Sequence, residues 1–137
     1  MPGKPVRLKL AILNDSQQVL RMLCEWFQNH GHDCTAAAIA DMPEAHVEIE
    51  KFISSIKPDV VVYDVAIPYA SSFDLLEIVR SMPTMKSQRF VVTTPNKKEL
   101  DNAVGTKTLA LEIAGERADL ERLLKAVEKV GAERQVS

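Results

Sequence analysis

At 137 residues, 46% apolar and 26% charged, the chain has enough material for one globular domain with a core that needs no metal or disulfide, and no room for a separate output domain. Seventeen basic and 19 acidic residues leave a formal net charge of −2 with no long run of either sign, which argues against an electrostatic footprint for nucleic acid. No segment is apolar for long enough to span a membrane, and Met1 to Lys4 do not lead into the sustained apolar stretch of a secretory signal.

The two cysteines, Cys24 and Cys34, are too sparse for a disulfide scaffold and read as reduced thiols of a cytoplasmic protein. Residues 6–13 form a short apolar run suited to a buried strand, ending at Asn14, Asp15 and Ser16, a triplet that can cap a helix. From Ser16 to His30, Val19, Leu20, Leu23 and Phe27 recur at helical spacing, and Gly31 falls where a left-handed cap is expected. Trp26 reads as a partly buried residue of that helix. Residues 33–38 make a weakly patterned second strand. The Asp41 to Glu44 spacing resembles a capping box for a second helix striped by Ile49, Phe52, Ile53 and Ile56.

Pro58 ends that helix, and residues 59–65 give the strongest strand, an apolar run of the kind a central parallel strand needs when helices cover both faces. Ser71 and Ser72 precede a third helix carrying Leu75, Leu76, Val79 and Met82. Residues 89–94 form a fourth strand, 96–104 a short polar helix, and 108–113 a fifth strand. The last helix bears Leu120, Leu123, Leu124, Val127 and Val130, and residues 131–137 read as a frayed tail. Strands alternating with helices imply right-handed crossovers and an α/β, flavodoxin-like doubly wound parallel sheet in the order 2-1-3-4-5. Ligands of such sheets bind beyond the carboxyl ends of the strands, where this chain places Asn14, Asp15, Asp64, Thr94 and Glu112.

In the order and placement of these residues the chain resembles the receiver domains of response regulators over nearly its whole length. Asn14-Asp15 stands for the family's acidic pair, Asp64 with Pro68 for its strand-three aspartate and proline, and Thr94 for its hydroxyl. The resemblance implies a module of a two-component phosphorelay, with Asp64 as phosphoacceptor and a histidine kinase or other signalling protein as partner. It also implies Mg²⁺ held by Asp15, Asp64 and the Ala66 carbonyl, with Asn14 acting through water. Any enzymatic activity would then be no more than Mg²⁺-dependent phosphorylation and dephosphorylation of Asp64, and a homodimer through helix four and strand five is conceivable on the same resemblance.

Three residues depart from the pattern. Glu112 stands at the family's lysine position, Pro95 follows Thr94 where an N–H is usual, and Leu109 occupies the place of a strand-five aromatic ring. Weak metal binding and weak or atypical phosphorylation are therefore expected. Thr93 is the second choice for the hydroxyl, because it would put Arg89 rather than Phe90 at the first buried position of strand four. A pseudo-receiver that binds partners without phosphorylation is the alternative function. A flavodoxin-like cofactor binder is disfavoured because no glycine-rich loop follows strand one. His30, His32 and Cys34 do not match a zinc spacing and read as structural.

Overall fold

A computed structural model describes residues 6–136, with side chains through Glu133. Met1 to Lys4, which carry the reading of no secretory signal, lie outside the described residues, as does Ser137. The strands are β1 (Lys9–Asn14), β2 (Asp33–Ala38), β3 (Val60–Asp64), β4 (Phe90–Thr94) and β5 (Leu111–Glu112). The helices are α1 (Gln17–Asn29), α2 (Ala45–Ile56), α3 (Tyr69–Ser81), α4 (Lys97–Val104) and α5 (Arg117–Val136). All neighbouring strands pair in parallel in the order β2-β1-β3-β4-β5, the doubly wound topology expected from the sequence.

The two faces of the sheet are covered by different helices. Leu10 and Ile12 of β1 and Val60 and Val62 of β3 pack with Leu20, Leu23 and Phe27 of α1 and Leu123 and Val127 of α5. Ala11, Leu13, Val61 and Tyr63 point the other way, onto Ile49 and Ile53 of α2, Leu76 and Val79 of α3 and Leu100 of α4. Because both faces are buried, β1 and β3 are apolar along nearly their whole length, and each fully buried Leu or Val contributes about 1.5–3 kcal/mol. Apart from the exposed Lys9 that opens β1 and the hydroxyl of Tyr63, polarity enters these strands at their carboxyl ends, in Asn14 and Asp64.

Local chemistry sets the helix ends. Ser16 caps α1 by accepting from the Val19 N–H at 3.3 Å. At the other end Gly31, at φ 88°, allows a Schellman closure in which its N–H meets the Gln28 carbonyl and the His32 N–H meets that of Phe27. The expected capping box at Asp41 is not what opens α2. Residues Ile39–Asp41 form a 3₁₀ turn, and the Glu44 N–H is instead satisfied by the Glu48 carboxylate at 2.9 Å. Lys57, left-handed at φ 53°, closes α2 just before Pro58.

α3 begins at Tyr69 and takes in Ser71 and Ser72 rather than following them, and two further boundaries differ from expectation for identifiable reasons. Residues 108–110 do not join β5, because Thr108 is drawn to α4: its N–H and hydroxyl donate to one Asp101 oxygen at 2.9 and 2.7 Å. Leu109 is then left 99% exposed. Hydrogen bonds from the Lys97 ammonium and from Thr108 hold the Asp101 carboxyl down at about 2. The other difference is the tail, which is helical through Val136 rather than frayed. Gly131 is a packing position, not a stop: a Cβ there would lie 2.5 and 2.7 Å from the two methyls of the buried Leu8.

His32 ties the same end of the molecule together. Its buried ring accepts the Leu8 N–H on Nδ1 at 3.1 Å and therefore carries its proton on Nε2, which donates to Glu128 of α5 at 2.8 Å. His30 bonds the Trp26 carbonyl at 2.8 Å, and its ring lies against the half-buried Trp26 indole. Gly131→Ala is expected to lower stability by about 1–3 kcal/mol despite alanine's better helix propensity, because the Leu8 methyls must move within a filled core. Urea unfolding of the two proteins would measure it, and an unchanged midpoint would mean that α5 has slack against β1.

Candidate functional site

The carboxyl ends of β1, β3 and β4 open onto a pocket of about 260 Å³. Its polar lining comes from Asn14, Asp15, Ser16, Asp64 and Thr93, and its apolar wall from Val19 and Leu23 of α1, Ile113 and Leu123. Asn14 and Asp15 are delivered by β1 and its turn into α1. The Asn14 amide oxygen accepts the Ser16 N–H at 2.9 Å and so fixes that turn. Since Ser16 is the residue that caps α1, the exposed Asp15 carboxylate is not needed as a cap and makes no hydrogen bond or ion pair among the described residues.

Asp64 ends β3, half-buried beside Thr93. The Thr93 hydroxyl donates to Asp64 Oδ1 at 2.7 Å, so Thr93, and not Thr94, brings its hydroxyl to the aspartate. The ladder explains this. Asp64 stands opposite Thr93 in the β3–β4 register, and adjacent residues of a strand point to opposite faces. β4 begins at Phe90 and leaves Arg89 exposed outside it, so the ground for preferring Thr94, that Thr93 would bury Arg89, falls away. Thr94 is fully buried on the other face with its hydroxyl unpartnered. With Thr93 as the hydroxyl residue, the position after it is Thr94, which has an N–H, and Pro95 moves one place further along the pocket wall.

Glu112 is also corrected. It stands opposite Thr94 in the β4–β5 register, but its carboxylate turns to the start of α4, accepting the Lys97 N–H at 2.9 Å, and it does not line the pocket. The favourable end of a helix dipole is the physical reason for that choice. The carboxylates that line the pocket are Asp15 and Asp64. Lys97, a conceivable substitute cation, is committed to Asp101 at 2.7 Å. Neither Lys nor Arg lines the pocket among the described residues. Ala66 is at its rim, its N–H donating to the Ser72 hydroxyl at 3.3 Å, which directs the turn into α3.

Burial pushes the Asp64 carboxyl up to about 6, with the Thr93 hydrogen bond opposing and the Asp15 charge adding to the rise. A carboxyl in this condition is a basic oxygen nucleophile near neutral pH and gains from a nearby cation. Asp15 and Asp64 line one pocket with Ala66 and match the one or two carboxylates by which Mg²⁺, which keeps several waters, is commonly held.

No protein-family model and no curated protein matches the chain at the level of sequence. Solved structures do. A receiver domain of a response regulator from Methylobacillus flagellatus is 21% identical, with 89% of this chain and 99% of that one covered and a TM-score of 0.64. The chain has the fold of a response-regulator receiver domain. A chemotaxis response regulator of Vibrio cholerae shares the receiver fold at 25% identity, covering 89% of this chain and 99% of its own, with a TM-score of 0.61. A sensor protein from Polaromonas shares it at 14% identity, 94% and 99% coverage and a TM-score of 0.71. No helix among the described residues is long and apolar enough to cross a membrane.

The sequence places Asp15 and Asp64 at strand ends, where both line the pocket, but gives no sign of the apolar wall, because Ile113 and Leu123 read as ordinary core positions. The raised carboxyl has a measurable signature. Carboxyl NMR titration should place Asp64 near 6, lower in Asp15→Asn and higher in Thr93→Val, which removes the stabilising hydroxyl. Movement of Asp64 in Thr94→Val instead would overturn the assignment of Thr93.

The same shift links stability to pH. A folded-state value raised from 3.8 to about 6 contributes stability that is fully present below the unfolded value and is lost as pH rises through the folded one. Asp64→Asn should therefore stabilise the protein by about 2 kcal/mol near pH 8 and by almost nothing near pH 4, as read from denaturant midpoints without divalent cations. Equal gains at both pH values would show that ionisation is not the cause.

Proposed function

We propose that the chain is a receiver-type signalling module of a two-component phosphorelay, accepting a phosphoryl group on Asp64 with weak or atypical efficiency. The observation that carries this reading is the half-buried Asp64 carboxyl, raised to about 6 at the mouth of a strand-end pocket beside Asp15 and Thr93. An Asp64 oxygen attacks the phosphorus of a phosphohistidine or small phosphodonor, and the leaving group departs on the opposite side. Mg²⁺, held by Asp15, Asp64 and the Ala66 carbonyl, would supply charge neutralisation when bound. Thr93 exchanges its bond to Asp64 for one to a phosphoryl oxygen, and the Thr94 N–H follows it in the chain. The partner is a histidine kinase or another signalling protein, and the compartment is the cytoplasm.

A second reading has its own support. With Glu112 turned to α4 and Lys97 bound to Asp101, no basic side chain faces the pocket among the described residues, so the charge building on a phosphoryl group lacks its main counterweight. A pseudo-receiver that binds its partner without phosphorylation would need none.

Intact mass after incubation with a small phosphodonor and saturating Mg²⁺ separates the two. The first reading expects one phosphoryl group on the wild type and none on Asp64→Asn, whereas an unmodified wild type favours the pseudo-receiver. Glu112→Lys should raise the extent of phosphorylation, because it replaces an anion by a cation at the strand-end edge that an anionic phosphodonor approaches. The loss of the cap should cost about 1 kcal/mol of stability. If that variant gains stability and no phosphorylation, Glu112 has neither role.

A further inference from the structure

Cys24 of α1 and Cys34 of β2 are joined by a disulfide, 10 positions apart with their Cα atoms at 5.5 Å, which corrects the expectation of two reduced thiols. Helical spacing turns Cys24 inward with Leu20 and Phe27, and Cys34 is packed against the same core from its place opposite Leu10. The fold does not depend on the bond. α1 is held by Leu20, Leu23 and Phe27, and β2 by its ladder to β1. Unbonded thiols are small apolar groups that suit the same half-buried positions, so the two oxidation states are compatible with one fold. Partial exposure leaves the pair open to small reagents.

From this geometry we infer that Cys24 and Cys34 are a reversible thiol–disulfide site, closed by a hydroperoxide and reopened by a dithiol reductant, whose closure stiffens the α1 wall of the Asp64 pocket. In the open form one thiolate sulfur attacks a peroxide oxygen. The S–O bond forms, the O–O bond breaks, and the sulfur gives up two electrons as the other oxygen leaves and is protonated. The second thiolate then attacks that sulfur, forming the S–S bond while the S–O bond breaks and the oxygen leaves as hydroxide, which takes a proton from solvent to become water. Reduction returns two electrons and two protons from the dithiol, which ends as a disulfide.

The connection to the pocket is covalent and short. Leu23, adjacent to Cys24, and Val19, about one turn earlier, line the pocket wall, and Asp15 and Ser16 lead directly into α1. Cys34 lies beside β1, whose last residue is Asn14. Closing the bond fixes the middle of α1 to the sheet and limits the motion of that wall. None of this requires Asp64 to be phosphorylated.

The test uses the full chain in its native state, treated with dithiothreitol and then with hydrogen peroxide. Iodoacetamide should label two thiols after the reductant and none after the peroxide. The disulfide form should melt roughly 5 °C higher. Amides of residues 15–24 should exchange hydrogen several-fold more slowly in that form. The double variant Cys24→Ser/Cys34→Ser should show no peroxide-dependent change in exchange, which separates thiol chemistry from methionine oxidation. Thiols that still label after peroxide, a disulfide that opens only in denaturant, or equal exchange of residues 15–24 in both states would overturn the inference. Because no readout involves phosphate, failure here is distinguishable from failure of the receiver reading.

Discussion

The site rests on the burial of β1 and β3 on both faces, which keeps charged side chains out of the strand interiors and leaves them to the ends. Helices above and below fill the interior positions with aliphatic residues and the buried Tyr63, so Asn14, Asp15 and Asp64 stand at the mouths of the strands. The same burial raises the Asp64 carboxyl, since the desolvation that the fold imposes on a strand end is what penalises its charge. Fold and reactivity thus share one cause.

Thr93 shows how finely that cause is distributed. Two threonines follow one another at the end of β4, both buried, yet one hydroxyl meets Asp64 and the other meets nothing. An unpartnered buried hydroxyl is a cost of about 1–3 kcal/mol that valine would avoid. Glu112 makes the complementary point. A carboxylate at the end of β5 meets the N-terminus of α4 and turns to it, away from the pocket that Asp15 and Asp64 line.

Strand order, helix identities and the two pocket aspartates were legible because each depends on a local pattern: apolar runs for β1 and β3, a 3.6-residue stripe for α1, a polar residue where a run ends. What could not be read depends on partners distant in sequence. The length of β5 is decided by Asp101 reaching Thr108, the choice between Thr93 and Thr94 by the β3–β4 register, and the helical end of α5 by the room that Gly131 leaves for Leu8. The cysteine pair belongs with these, since cysteine density speaks to whole scaffolds and says nothing of two side chains that meet across α1 and β2. Glycine near a helix end means a stop only when no neighbour needs the space.

The opposite end of the sheet has a character of its own. Leu8 is hydrogen-bonded to His32, pressed beneath Gly131 and followed by Lys9, whose N–H is held by Asp59 at 2.9 Å, while Arg7 reaches Asp33 at 2.6 Å. The two ends of the strands are therefore unequally anchored, and the domain resembles a blade clamped at its handle. The amino ends of the strands are pinned by side chains from β2, α5 and the turn before β3, whereas the short β5 is preceded by a loop that holds Leu109 out in solvent.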